Sequence, residues 1–251
     1  MDANDGKNNL HSGWHGFDKA LWKTEIYEEN DGVYIRFEHE SPAGDGGFPG
    51  NMKAVVSYGL TKDNKITADY QAQTDEPCPV NLTNHAYFNL SGEGNGNILS
   101  HNVILHSSSY IEIDKNLMPT GRLTPVKDTF FDFRTGKKIN NDFNKDTGIE
   151  GYDHCFVVDG EYGVLRPCAE VYDQNSGRTM KVMTTQPGVQ FYTGNFLNGI
   201  AGKHGSCYEK HSGFCLETQH FPDSPNNSSF PSCITDPSNK YHEKAEFTFI
   251  F

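Results

Sequence analysis

The sequence predicts an all-β protein, a single domain of antiparallel sheet spanning residues 1–251. Three observations carry that expectation. No window of a dozen residues combines 3.6-residue apolar periodicity with helix caps, so helical signals are weak along the whole chain. Short runs of alternating apolar and polar residues recur instead, separated by Asn, Asp and Gly turns. The chain also carries 17 Phe and 12 Tyr, and aromatic side chains suit pleated, half-buried surfaces. Large all-β domains reach this length undivided, and it is enough to bury a sizeable core.

Taken in order, the first element is a hairpin in "EIYEENDGVYIRFEHE", two runs around Asn30-Asp31-Gly32. "MKAVVSYGLTKDNKITADYQAQ" repeats the pattern around Lys62-Asp63-Asn64. "NVILHSSSYIEID" and "HCFVVDG" follow, and "CAEVYDQNSGRTMKVMTT" is a third hairpin around Asn175-Ser176-Gly177. "VQFYTG", "GFCLETQ" and "AEFTFIF" complete the strands, the last one reached through the irregular "SFPSCITDPSNKYHEKAEF". The glycine-rich "SPAGDGGFPG" and "SGEGNGN" lack the Gly-Lys-Ser/Thr of a phosphate loop and open no helix, so both read as loops. No linker and no fixed-period repeat divides the chain. Many short strands joined by turns fit a sandwich or a barrel.

Acidic residues outnumber basic ones, 33 to 21, for a formal charge of −12. That balance argues against nucleic acid and against anionic membrane surfaces, which need clustered Lys and Arg. No apolar run approaches the roughly 20 residues of a bilayer span. The polar start "MDANDGKNNLHSG" has no secretory apolar segment, so the cytoplasm is the expected compartment. Sequons at Asn81 and Asn227 carry little weight there. The six cysteines (Cys78, Cys155, Cys168, Cys207, Cys215, Cys233) form no Cys-x-x-Cys pair, so free buried thiols are expected, without a disulfide framework or zinc site.

Several residues are candidates for chemistry. His11 and His15 have helical metal spacing, but Gly13 and Gly16 oppose a helix and no third ligand is well spaced. His101 and His106 bracket an alternating strand and are expected to face solvent. His85 lies among amides and aromatics in "VNLTNHAYFNL", a mixture that suits a sugar site and equally a hydrogen-bonded core histidine. Asp153, at the head of a strand in "GYDHCFVVD", could cap a turn or bind a ligand. Gln186 and Gln190 flank a Pro-Gly turn, where a glutamine often satisfies backbone groups. Glu217 has the strongest physical case. Beside Phe214 and Leu216 a desolvated carboxyl has a raised pKa, as a general base requires; strand alternation allows equally that it faces solvent. No Gly-x-Ser-x-Gly elbow supports a serine hydrolase. A two-carboxylate glycosidase using Glu217 and Asp153, or an epimerase pairing a carboxylate with a histidine, remain open.

"NLTNHAYFNL", "GYDH", "TTQPGVQFYTGN" and "KHSGFCLETQHFPD", in that order, closely resemble the aldose 1-epimerases, the galactose mutarotases. "NNLHSGWHGFDKALW" is similar to that family's Leu-His-Gly-Gly…Gly-Phe-Asp-Lys segment, with Ser12 at a glycine position. The resemblance runs from about Asn9 to the carboxyl terminus. It implies a large antiparallel β-sandwich, the galactose-mutarotase-like supersandwich. It implies Glu217 as general base and His85 as general acid, with Asp153 (after Tyr152 in place of Phe), Gln190 and His11 binding the sugar. The implied reaction opens and recloses the ring of galactose or glucose by proton transfer, with no metal and no cofactor. The implied partner is a monosaccharide, and the implied state a monomer or weak dimer.

Family members carry an amino-terminal portion before the Leu-His-Gly-Gly segment, with an Asn-Arg pair whose arginine contacts the sugar. None of Arg36, Arg122, Arg134, Arg166 and Arg178 lies in such a motif. The expectation is therefore a chain N-terminally incomplete relative to the family, with exposed strand edges and apolar faces. The alternative it raises is a truncated, non-catalytic sugar-binding homologue. A phosphosugar epimerase would need a basic patch that this acidic chain does not offer.

Overall fold

The computed structural model describes residues 1–143 and 148–251. The chain forms two compact units, Met1–Leu82 with Ser232–Lys244 and Thr83–Pro231 with Ala245–Phe251. Among the described residues the regular structure is strand, and the helical pieces are 3-10 turns of three or four residues. No helix among them is long and apolar enough to cross a membrane.

The first unit contains an antiparallel meander of β1 (Lys23–Glu29), β2 (Gly32–Ser41), β3 (Met52–Thr61) and β4 (Lys65–Thr74). Its turns explain the order. Asn64 adopts φ 61° between β3 and β4, a left-handed conformation that asparagine tolerates. At Gly32 a Cβ would stand 2.4 Å from the Leu60 carbonyl oxygen, so the close approach of β2 to β3 requires glycine. Phe37, Val56 and Tyr70 sit side by side on one face through the pairs Phe37↔Val56 and Val56↔Tyr70. Towards the β3–β4 turn the same face ends in Ile26, Val33 and Leu60, exposed by 71%, 48% and 64%.

The second unit holds β5 (Asn102–Leu105), β6 (Ser109–Ile113), β7 (Pro119–Pro125), β8 (Asp153–Val157), β9 (Arg166–Tyr172), β10 (Thr179–Thr184), β11 (Gly188–Tyr192) and β12 (Cys215–Gln219). It also takes the Ala245–Ile250 part of β13 (Tyr241–Ile250). Five strands hydrogen-bond in the order β12-β11-β8-β6-β7, and β13, β10, β9 and β5 pair in that order. The core between them is aromatic: Phe133, Tyr152, Phe156 and Phe191 are essentially inaccessible, with Phe133 and Phe191 ring centroids 5.5 Å apart. Each fully buried side chain of this kind stabilises the fold by roughly 1.5–3 kcal/mol. Phe88 bridges the two sets of strands, 6.0 Å from Phe214 and 5.6 Å from Phe247.

Arg166, buried at the start of β9, is the unit's main polar tie. Its guanidinium donates to the carbonyls of Val158, Asp159, Val164, Thr184, Thr185 and Gln186. It thereby holds the end of β10 and the segment leading into β11.

The three hairpins and the loops at Ser41–Gly50 and Ser91–Asn97 are as the sequence leads one to expect. Three expectations need correction. The strand β7 was not foreseen. His101 does not face solvent: it is fully buried, and its Nε2 accepts a hydrogen bond from the Leu90 amide at 3.0 Å, while His106 is half-buried. All six cysteines are free, but Cys207 is exposed where a buried thiol was expected.

Candidate active site

Strand register assembles the site. In an antiparallel sheet, directly opposed residues share a face. The pairs Gln190↔Glu217 and Cys155↔Gln190 put Glu217 of β12, Gln190 of β11 and Cys155 of β8 in one row. The pairs Tyr192↔Cys215 and Asp153↔Tyr192 make a second row on the same face. The opposite face carries Leu216, Phe191 and Phe156 into the aromatic core. β12 is thus covered on both sides, which is why Glu217 is only 7% exposed although its neighbours Leu216 and Thr218 point the other way. The solvent-facing alternative for Glu217 does not hold.

His85 comes from an irregular segment. The Asn84 side chain accepts a hydrogen bond from the Ala86 amide at 3.2 Å, an Asx turn that presents the histidine between them. Phe88 and Phe214 then exchange two backbone hydrogen bonds, of 2.8 and 2.9 Å, and so clamp this segment against the start of β12. As a result His85 Nε2 stands 3.6 Å from Glu217 Oε1, and its Nδ1 is 3.3 Å from the Cys215 Sγ. Tyr87 stacks on the imidazole at 5.1 Å, and Tyr192 meets it edge-on at 6.1 Å. His85 and Tyr87 are the exposed members, and Glu217 is the floor.

Asp153, half-buried, accepts a 2.7 Å hydrogen bond from Gln190 Nε2. The carboxylate and the amide therefore act as one polar wall, which neither the turn-capping reading of Asp153 nor the backbone-satisfying reading of Gln190 describes. Gln186 is fully buried and takes no place in this row. His11 belongs to the first unit, on an exposed turn with φ 51°.

The electrostatics follow from burial. Desolvation first, and the charge of Asp153 second, push the Glu217 carboxyl up to about 8. Burial, with Glu217 and Asp153 adding to it, holds the Cys215 thiol protonated well beyond neutral pH. Burial likewise raises the Tyr87 and Tyr192 hydroxyls. A carboxyl titrating near neutrality beside an imidazole can move one proton in either direction, which is the capacity an acid/base site needs. His85, Cys215 and Glu217 also each offer one ligand atom within 4.8 Å of the others, a donor set that could hold a borderline-soft cation such as Zn²⁺. Sequence reasoning gave no place to Cys215 or Tyr192 in the site. The signal was the period-two spacing of Cys215 from Glu217 and of Tyr192 from Gln190.

Comparison with known proteins agrees with these motifs. A family model for aldose 1-epimerase matches residues 1–248. The galactose mutarotase of Sus scrofa is 42% identical over 250 residues, covering 99% of this chain and 71% of that protein. The aldose 1-epimerase of Escherichia coli (strain K12) is 38% identical over 255 residues, covering 100% of this chain and 72% of the other. Among solved structures, an aldose epimerase homologue from C. elegans superposes with a TM-score of 0.88 at 27% identity, over 98% of this chain and 74% of that one. A galactose 1-epimerase from Lactobacillus acidophilus gives 0.84 at 25% identity, over 98% and 71%. The family model over nearly the whole chain, the sequence identity and the shared fold mean that this chain belongs to the aldose 1-epimerase family.

Proposed function

We propose that the protein is an aldose 1-epimerase that interconverts the α and β anomers of galactose and glucose, with Glu217 as base and His85 as acid. The observation that carries this reading is the buried Glu217 carboxyl, raised to about 8, 3.6 Å from His85 Nε2. Glu217 takes the proton of the C1 hydroxyl as the C1–O5 bond breaks, and the bond's electron pair goes to O5. O5 takes the Nε2 proton of the His85 imidazolium. The open aldehyde turns about C1–C2, O5 attacks the other face of C1, His85 recovers its proton and Glu217 returns its own to O1. The pair ends with the single proton it began with.

That bookkeeping explains the environment of Glu217. The pair needs one proton in total, and a carboxyl raised towards the histidine range shares it with the imidazole at little cost. Asp153 and Gln190 hold the sugar hydroxyls, which keeps the free aldehyde in place while it turns. The reaction is proton transfer throughout, so the reading requires no cofactor. On this reading the protein acts in the cytoplasm, as a monomer or weak dimer.

Polarimetry of freshly dissolved α-D-galactose tests the proposal. The wild type is expected to speed the decay of optical rotation, and Glu217→Gln to lose about 10² or more in kcat. Absence of acceleration by the wild type sinks the catalytic reading. Calorimetric galactose binding without turnover would then leave the non-catalytic sugar-binding homologue.

A further inference from the structure

We infer that Cys215 is a positioning residue for His85: its Sγ accepts a hydrogen bond from Nδ1–H, so that Nε2 is the nitrogen that exchanges a proton. This deepens the epimerase reading and rests on it where it speaks of turnover. The geometry is specific. Sγ lies 3.3 Å from Nδ1, within hydrogen-bond range for sulfur, while Nε2 faces Glu217 Oε1 at 3.6 Å. One imidazole thus has its two nitrogens assigned to two different partners on the same strand face, Cys215 and Glu217, two residues apart.

The proton count requires that assignment. When the imidazolium gives its Nε2 proton to O5, the neutral ring left behind carries its hydrogen on Nδ1. If the other tautomer formed, Nε2 would hold a hydrogen and could not take the O5 proton back on closure. A sulfur acceptor at Nδ1 stabilises the required tautomer both before and after transfer. The choice of an uncharged acceptor also matters. A carboxylate at Nδ1 would hold the imidazolium too firmly for it to act as an acid. Burial and the neighbouring carboxylates keep the thiol from ionising, so it orients the ring without adding charge.

The plain alternative is that Cys215 is a small buried apolar side chain, as free cysteines often are. The two differ in what Cys215→Ala does. As a positioning residue, Cys215 leaves KM within about twofold when truncated and lowers kcat about tenfold. Cys215→Ser, whose hydroxyl also accepts, restores most of kcat. ¹⁵N spectra of the ring nitrogens, with His85 assigned by its loss in His85→Asn, should show the Nδ1–H tautomer in wild type and Ser and a mixture in Ala. An unchanged tautomer ratio in Cys215→Ala overturns the inference, whatever the kinetics. If the wild type shows no mutarotation, the epimerase reading fails alone and the spectra still decide the contact. If the Ala variant does not fold, the decision falls to Cys215→Ser against wild type, where a shift of the ring to the Nε2–H form counts against the inference.

Discussion

Glu217 carries a cost that belongs to its function. A carboxyl buried to 7% exposure is held protonated up to about 8, against 4.5 for the ordinary group. Between those values the folded protein binds more protons than the unfolded chain, so by linkage stability falls as pH rises through that window. The penalty is absent below about 4.5 and complete above about 8. Glu217→Gln keeps the shape and removes the titration. The variant should therefore match the wild type in urea midpoint near pH 4.5 and exceed it by a few kcal/mol in unfolding free energy above pH 8. A difference that stays flat across the window would show that the carboxyl is not desolvated. The sequence could name Glu217 and His85 but not decide whether Glu217 met solvent. Alternation assumes one wet face, and β12 has none: its second face closes only when the His85 segment arrives from a distant part of the chain.

Elements were legible where a turn announced them. Asn30-Asp31-Gly32, Lys62-Asp63-Asn64 and Asn175-Ser176-Gly177 fix hairpins through local backbone chemistry, and each hairpin is found. The strand β7 was not legible, because "PTGRLTP" contains two prolines and Gly121 at φ 82°, and none of its residues is fully buried. It is a strand because β6 supplies the ladder. Strand order was not legible either, since β11 lies between β12 and β8 through pairings that no local pattern encodes. Arg166 belongs to this scale, for it ties the end of β10 and the β10–β11 connection to the segment between β8 and β9. Arg166→Met keeps the apolar stem and removes every donor. Four buried contacts, to Val158, Thr184, Thr185 and Gln186, are lost together. Unfolding free energy should fall by about 2 kcal/mol or more, since a buried carbonyl that loses its donor costs about 1–3 kcal/mol and Thr185 keeps one donor, the Gly163 amide. A loss under about 1 kcal/mol would mean that water replaces the guanidinium.

At the scale of the whole chain, the family's motifs recur in order across two units, and the chain spans about 71% of the length of its mammalian relatives. The composition read correctly as all-β and acidic because both are averages, insensitive to which strand meets which. The thiols give a chain-wide test of how closed the fold is. Six cysteines are free, and only Cys207 is exposed. A hydrogen bond to Glu209 raises the Cys207 thiol, so its thiolate fraction near neutrality is small and its reaction slow. An excess of a thiol-specific reagent at mildly alkaline pH should therefore label one thiol per native chain and six in guanidinium. Cys207→Ser should bring the native count to zero. The sharpest part of the test concerns Cys215, which has no exposed surface yet lies beneath the exposed His85. If the His85 segment is held by its two backbone bonds to Phe214, Cys215 stays unlabelled as long as the protein is folded. Native labelling of Cys215 at a rate comparable to Cys207 would show the segment opening, and with it a site in which Glu217 is not held dry.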